Sequence, residues 1–210
     1  MILLEALKYQ QKFGFSIIPV RKNKKPYISW EYYQKHKADF HEIKAWWREW
    51  PDANVGIITG KISNLCVIDI DEEEGYRALA DIIGNVRAPS CITPSGGQHL
   101  YFKYPKGRVL QNNSRVIPGC DLRAEGGYVV APPSTDARGR KYQWIDELHI
   151  ENIDIPELPE RYIRYINSTI NSNNYISNNR AKMFVPGRRE NDLFHTANCL
   201  IKGGMPEWEA

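Results

Sequence analysis

The sequence predicts an α+β protein with a mostly antiparallel or mixed sheet, on three observations. An α–β–α lead-in is followed by many short strand-like segments with one interposed helix, a segregation that favours α+β over a doubly wound fold. Several of those segments alternate apolar and polar residues at period two. The 210 residues are 42% hydrophobic and 25% charged, globular values that suit one ordinary domain plus something small.

Leu3, Leu4, Leu7 and Gln11 fall on one helical face and Gly14 stands at the C′ position, so residues 2–13 are read as a helix. Phe15 to Val20 follows as a short buried strand, ending in a basic loop that contains Lys25 and Pro26. Asp39-Phe40-His41-Glu42 is a capping box opening a helix with Ile43, Trp46, Trp47 and Trp50 at helical spacing. Those tryptophans are expected to pack on the core rather than stack on bases. Asn54–Ile58 and Leu65–Asp71 read as strands around Thr59-Gly60, a possible hairpin. Residues 73–83 form a helix closed by Gly84, with Tyr76, Leu79, Ala80 and Ile83 as the expected buried stripe.

Cys91-Ile92-Thr93 is a strand entering Pro94-Ser95-Gly96-Gly97, and Gln98 to Lys103 alternates again. Leu100 and Phe102 are expected to face the core, with His99, Tyr101 and Lys103 facing away. Residues 104–118 read as a looser segment, with strands recurring at 120–124, 127–131 and 141–145. A helix is expected at 159–170, and Asn167 to Asn179 holds six asparagines and three serines, a linker composition. A last helix covers about 189–203, and the ending Glu-Trp-Glu-Ala suggests a fragment of something longer.

Composition excludes some classes. No apolar run approaches the roughly 20 residues of a membrane span, and the start lacks the features of a signal peptide. Cys66, Cys91, Cys120 and Cys199 are scattered, so neither a zinc site nor a disulfide framework is indicated, and the expected compartment is the cytoplasm. The net charge of +3 and pI of about 8.6 prove nothing about nucleic acid. The basic clusters at 21–25 and 187–189 count as phosphate contacts only with support from elsewhere.

The chemistry starts at Cys66-Val67-Ile68-Asp69-Ile70-Asp71. Side chains i and i+2 of a strand share a face, so Asp69 and Asp71 project side by side. A fold tolerates that where a divalent cation neutralises the pair or where water reaches it freely. Asp121 and Arg123 repeat the spacing on another expected strand, and a third carboxylate is what magnesium or manganese ions need. Thr93 to Gly97 is a tight, hydroxyl-bearing loop whose N–H groups suit phosphate, and His99 with Arg123 offers donors for triphosphate oxygens.

Asp69-Ile70-Asp71, Ser95-Gly96-Gly97-Gln98-His99-Leu100-Tyr101-Phe102, Gly119-Cys120-Asp121-Leu122-Arg123 and Gly126-Gly127-Tyr128-Val129-Val130-Ala131-Pro132-Pro133-Ser134 occur in this order. The set resembles the bifunctional primase-polymerase (prim-pol) domain of the archaeo-eukaryotic primase superfamily. The lead-in is similar too: Pro19, Lys25-Pro26, Trp30, Trp46-Trp47, Asn54-Val55-Gly56-Ile57 and Thr59-Gly60. The likeness covers roughly residues 5–145. Gly187 through Leu200 resembles the start of the small helical domain that follows such catalytic domains.

The resemblance implies a catalytic core of the archaeo-eukaryotic primase type over 1–155, a helix and linker over 156–180, and the start of a helical primase domain over 181–210. Asp69, Asp71 and Asp121 would be the catalytic, metal-binding carboxylates for two Mg2+ or Mn2+ ions. Ser95, Gly96, Gly97, His99, Arg123 and Lys25 would bind the incoming nucleotide. The activity implied is DNA primase and DNA-directed polymerase. The implied partners are single-stranded DNA template and primer, nucleoside triphosphates and a helicase domain or replication protein, with no membrane. One departure is Gly97, which stands where the second motif often has a hydroxyl residue, leaving that role to Ser95 or Thr93. The rival readings are a metal-dependent nuclease or phosphohydrolase, and a non-catalytic single-strand binder.

Overall fold

The computed structural model describes residues 2–169, apart from the side chains at 114–116. The linker expected beyond 169, the helical segment expected at 181–210 and Cys199 lie outside the described residues. A first compact unit closes at Ile163.

The helix α1 (Ile2–Gln11) leads into β1 (Ser16–Val20), and α2 (Phe40–Glu49) into β2 (Asn54–Ile58). Asp39 caps α2 as the sequence demands: its carboxylate accepts from Glu42 N at 2.9 Å, and Glu42 Oε2 accepts from Asp39 N at 3.0 Å. Then come β3 (Leu65–Ile70), α3 (Glu73–Ile83), β4 (Ser90–Ile92), β5 (Gln98–Lys103), β6 (Asn113–Ile117), β7 (Cys120–Arg123), β8 (Tyr128–Ala131) and β9 (Gln143–Trp144). A further helix, α4, runs over 160–169. The protein is α+β, with two sheets in orders β1-β2-β8 and β6-β7-β3-β5-β4-β9, every neighbouring pair antiparallel.

Four local expectations need correction. The segments β2 and β3 are not a hairpin. They enter different sheets, and their pairing shrinks to one bridge between Gly60 and Leu65 across a 3-10 turn at Lys61–Ser63. The stretch 104–118 hides β6, which pairs with β7 through an irregular register and a two-residue Pro118-Gly119 connection. On α3 the buried residues are Gly75 and Leu79, while Tyr76 and Ala80 are exposed. The helix is turned by about one residue because Gly75 must meet the Gly119 carbonyl and Cys120, where any Cβ would collide. On β5, finally, the face expected to point away is the more buried one: Tyr101 joins the shared core and His99 is buried, whereas Leu100 is only half-buried beside Phe102.

One core joins both sheets. Ile17, Val55, Ile57 and Val129 of the small sheet meet Leu65, Val67 and Tyr101 of the large one, under Tyr9 of α1 and Trp46 and Trp47 of α2. The tryptophans are thus structural, and the Trp47 indole N–H donates to Ala53 O at 3.0 Å. The second face of the small sheet carries a smaller cluster around Ile18, Ile58 and Tyr142. Cys66, Cys91 and Cys120 are buried free thiols. Among the described residues no helix is long and apolar enough to cross a membrane.

The β4–β5 connection is a tight turn in which Thr93 N donates to Gly97 O at 2.9 Å and Gly96 N to Thr93 O at 3.0 Å. Gly96 has a φ of +95° with open space around it, whereas a Cβ on Gly97 would run into the Ile70 carbonyl and press on Asp71 Cα. Gly97 is therefore required by the close approach of two backbones. Overpacking of this kind costs about 1–3 kcal/mol. Gly97→Ala should lower the thermal unfolding midpoint measurably, while Ser95→Ala, on an exposed side chain, should leave it nearly unchanged; equal midpoints for both variants and the parent would refute the close approach.

Candidate active site

The central strand β3 changes character along one face. Leu65 and Val67 belong to the shared core, and the next residue on that face is Asp69. In register, Asp69 faces His99 on β5 and Asp121 on β7, so the three form one row across three adjacent strands. Arg123, two residues beyond Asp121, shares its face and stands opposite Val67.

His99 Nε2 lies 3.3 Å from Asp69 Oδ1, and the Arg123 guanidinium reaches Asp121 Oδ2 at 2.7 Å and Asp69 Oδ2 at 3.5 Å. The side chains of Asp69 and Asp121 are only 14% and 17% exposed, so neither charge is freely solvated. The His99 Nδ1 atom is buried and has no hydrogen-bond partner within the described residues. The Cys91 sulfur faces this ring and raises the imidazole pKa.

Asp71 lies just past the end of β3, pinned from two sides. Its N–H donates to Gly119 O at 3.0 Å, and Gly97 presses against its Cα. The β6–β7 and β4–β5 turns thus fix the backbone of this carboxylate between them. Its side chain is nevertheless more open than that of Asp69.

The electrostatics divide the pair. Burial pushes the Asp69 carboxyl up, but His99, Arg123 and Lys24 together outweigh it and hold it below the usual carboxylate range. Burial and then the charges of Asp69 and Asp121 push the Asp71 carboxyl above that range, against Lys24 and Arg123. Burial opposes a charge on the His99 imidazole, yet the facing Cys91 sulfur and the Asp69 carboxylate prevail, and its pKa is raised. Three acidic groups therefore stand among three basic ones, a combination that balances near neutrality.

Asp69 and His99 of this row, with Arg123, form one wall of a cleft of about 230 Å3, which neither Asp121 nor Asp71 lines. The other sheet contributes Tyr128, Val129 and Val130, and the loop after β1 contributes Lys24. The sequence-derived site residues are thus only partly gathered. Asp69, His99 and Arg123 line the cleft, with Asp121 bound to Arg123 and Asp71 electrostatically coupled to both acids. Ser95, Gly96 and Gly97 do not line it. Ser95 Oγ instead meets Thr93 Oγ1 at 3.0 Å within the turn. Lys25 is exposed and engaged only through its backbone, its N–H donating to Asn23 Oδ1 at 3.1 Å.

Sequence reasoning missed Lys24, Asn112 and Tyr142 as lining residues. Trp30 and Tyr128, which pack edge to face at 5.0 Å on the rim, stood in the quoted resemblance without a role. Asn112 carries no local signal, since it comes to the cleft through a backbone bond to Glu125 at 2.9 Å. Among the described residues no group of three or more His, Cys, Asp and Glu side chains closes into a ready-made metal cage.

The opposite shifts of the two acids give a test. Asp69, held low, adds stability that is present above pH 3.8 and lost as pH falls through its folded value. Asp71, held high, withdraws stability as pH rises through its folded value, so at pH 7 its charge is a burden. In thermal melts without added divalent ions at pH 7, Asp71→Asn should raise the midpoint and Asp69→Asn should lower it. Carboxyl NMR titration should place Asp71 above Asp69, and the reverse order would refute this electrostatic picture.

A family model described as bifunctional DNA primase/polymerase, N-terminal (Prim-Pol) matches residues 6–161. No curated protein matches the chain.

Proposed function

The chain belongs to the bifunctional DNA primase/polymerase (Prim-Pol) family, which implies a nucleotidyltransferase-type enzyme, and from that premise we propose that it makes primers on single-stranded DNA and extends them from nucleoside triphosphates. The observation that carries the reading is the in-register row His99–Asp69–Asp121 beside Arg123, at the wall of an open cleft. Carboxylates and phosphate-binding cations are interleaved there. A site built only to bind single strands has no use for two opposed, nearly buried acids.

Asp69, Asp71 and Asp121 would hold Mg2+ or Mn2+. The donor set fits such hard, oxygen-preferring ions, and Asp71 is pushed up by burial and then by the negative charges of the other two acids, of which added cations would relieve the second. Because the acids do not close into a cage alone, substrate phosphate and water would complete the coordination. When bound, two such ions would lower the pKa of the attacking hydroxyl and steady the triphosphate.

The protein's own groups have a separate task. In nucleotidyl transfer a primer 3′-hydroxyl bonds to the α-phosphorus as the bond to the pyrophosphate oxygen breaks. Negative charge then grows on the leaving group. His99 and Arg123 are fixed donors that favour that charge without having to reorganise. Their present partners are carboxylates, so both are oriented before substrate arrives. The cleft, at about 230 Å3, falls below the roughly 300–1,000 Å3 of pockets that engulf a ligand. It would take the phosphates and leave the base near Trp30 and Tyr128, beside the template. Single-stranded template and primer are the partners of this activity, and a helicase domain or replication protein would supply the single strand.

A primer-extension assay with Mn2+, a primed template and deoxynucleotides tests the reading, run beside an unprimed template for priming. Asp69→Asn and Asp121→Asn should each lower synthesis by about a hundredfold or more, with single-strand affinity little changed and folding checked by circular dichroism. Primer shortening without extension would point to a nuclease instead. Undiminished synthesis in both variants would remove the acids from the site.

A further inference from the structure

The loop that follows β1 ends in a strained lysine. Arg21 N donates to Lys25 O at 2.8 Å and Lys24 N to Arg21 O at 2.9 Å, and the loop closes on a bridge between Val20 and Pro26. Within it Lys24 takes a φ of +69°. Only a few per cent of residues other than glycine do so, and among them asparagine is favoured several-fold. Asn23 sits immediately before Lys24 without taking that position. Strain of this kind persists where the surroundings enforce it, and it gathers at ligand sites.

What enforces it comes from another part of the chain. The Tyr128 hydroxyl, on β8, donates to the Lys24 carbonyl at 2.8 Å. The Tyr128 ring is in turn braced edge to face by Trp30, with centroids 5.0 Å apart. The Lys24 ammonium makes no hydrogen bond or ion pair among the described residues, yet its charge is felt at Asp69 and Asp71, and Lys24 lines the same cleft as Asp69, His99 and Arg123. A long, unpaired cation on a latched backbone above a row of acids and phosphate donors has one evident use.

We propose that Lys24 is a third triphosphate-binding cation of the cleft, and that Tyr128 is a positioning residue that holds the Lys24 backbone so its ammonium stays over the site. The inference rests on the nucleotide reading above and sharpens it. Arg123 and His99 are committed to carboxylates from the large sheet, so Lys24 alone among the three is free to follow the outer phosphates as they enter and leave. As a point charge on a flexible stem it suits phosphate oxygens whose positions change during the reaction. Its neighbour Lys25, one residue along and equally basic, does not line the cleft and serves as the control.

The test is binding of a fluorescent deoxyadenosine triphosphate analogue with Mg2+ to the full chain, followed by anisotropy, with steady-state extension kinetics alongside. Lys24→Ala should weaken triphosphate binding about tenfold, the loss expected for one charge-assisted contact. Lys24→Gly takes the same φ without strain, so it keeps the fold and should lose the same affinity. Tyr128→Phe keeps the ring against Trp30 and removes the hydroxyl; it should raise KM for nucleotide severalfold with kcat nearly unchanged. In the Lys24→Gly/Tyr128→Phe double variant the second change should add nothing. Lys25→Ala should bind as the parent does. Parent-like affinity in both Lys24 variants overturns the proposal while leaving the nucleotide reading intact, and independent, additive losses overturn the role of Tyr128. If the parent itself binds no triphosphate, the nucleotide reading fails, and this proposal with it.

Discussion

Two carboxylates, Asp69 and Asp121, face each other directly across an antiparallel strand pair, both mostly buried. Directly opposed residues have Cβ atoms about 4.5–5.5 Å apart, and a favourable cross-strand pair contributes at most about 1 kcal/mol. Two like charges at such a separation repel by roughly 3 kcal/mol at an effective dielectric near 20. The repulsion is therefore larger than what one favourable cross-strand pair returns, so this pair of acids needs compensation. Arg123 supplies it by reaching both acids, and His99 supplies it from the other side of Asp69. The arrangement is costly in stability and consistent with a site where charge is kept for chemistry.

The same economy explains the glycines. Gly97 looked in sequence like part of a phosphate loop, because a hydroxyl residue and two glycines preceded a histidine. In the structure its bare Cα allows β5 to approach Ile70 and Asp71. Gly119, in the β6–β7 turn, gives its carbonyl to Asp71 N and packs on Gly75 at the start of α3. One carboxylate is thus fixed by two turns and a helix, each needing a glycine for close approach. The motif carries a site residue, His99, and a scaffold residue, Gly97, two positions apart.

What was legible in the sequence was what is local. The capping box at Asp39 and Glu42, the end of α3 at Gly84 and the span of β2 follow from patterns contained within a few residues. Strand periodicity put Asp69 and Asp71 on one face, but β3 ends at Ile70 and Asp71 is placed by the two turns that hold its backbone. What failed depended on partners elsewhere. Periodicity cannot say that β2 and β3 part company at Gly60, since the separation depends on which sheet each strand completes. It cannot say that α3 is rotated, since Gly75 answers to Gly119. The strand β6 escaped because its polar first residues read as loop, although Pro118-Gly119 between Ile117 and Cys120 was a turn signal. Lys24 and Lys25 were indistinguishable as adjacent basic residues until the backbone showed which one carries the positive φ.

That last distinction bears on why the chain has two sheets at all. The large sheet brings Asp69, Asp121, His99 and Arg123 together, each matched with an opposite charge, and places Asp71 just past β3 as a further acid. Such a surface has little net attraction for a polyanion. The small sheet adds what is missing: β1 leads into the Lys24 loop, and β8 carries the tyrosine that holds it. The core shared by Ile57, Val67 and Tyr101 locks the two sheets together. The cleft between them therefore acquires a cation that no acid has claimed, delivered from the sheet that carries none of the acids.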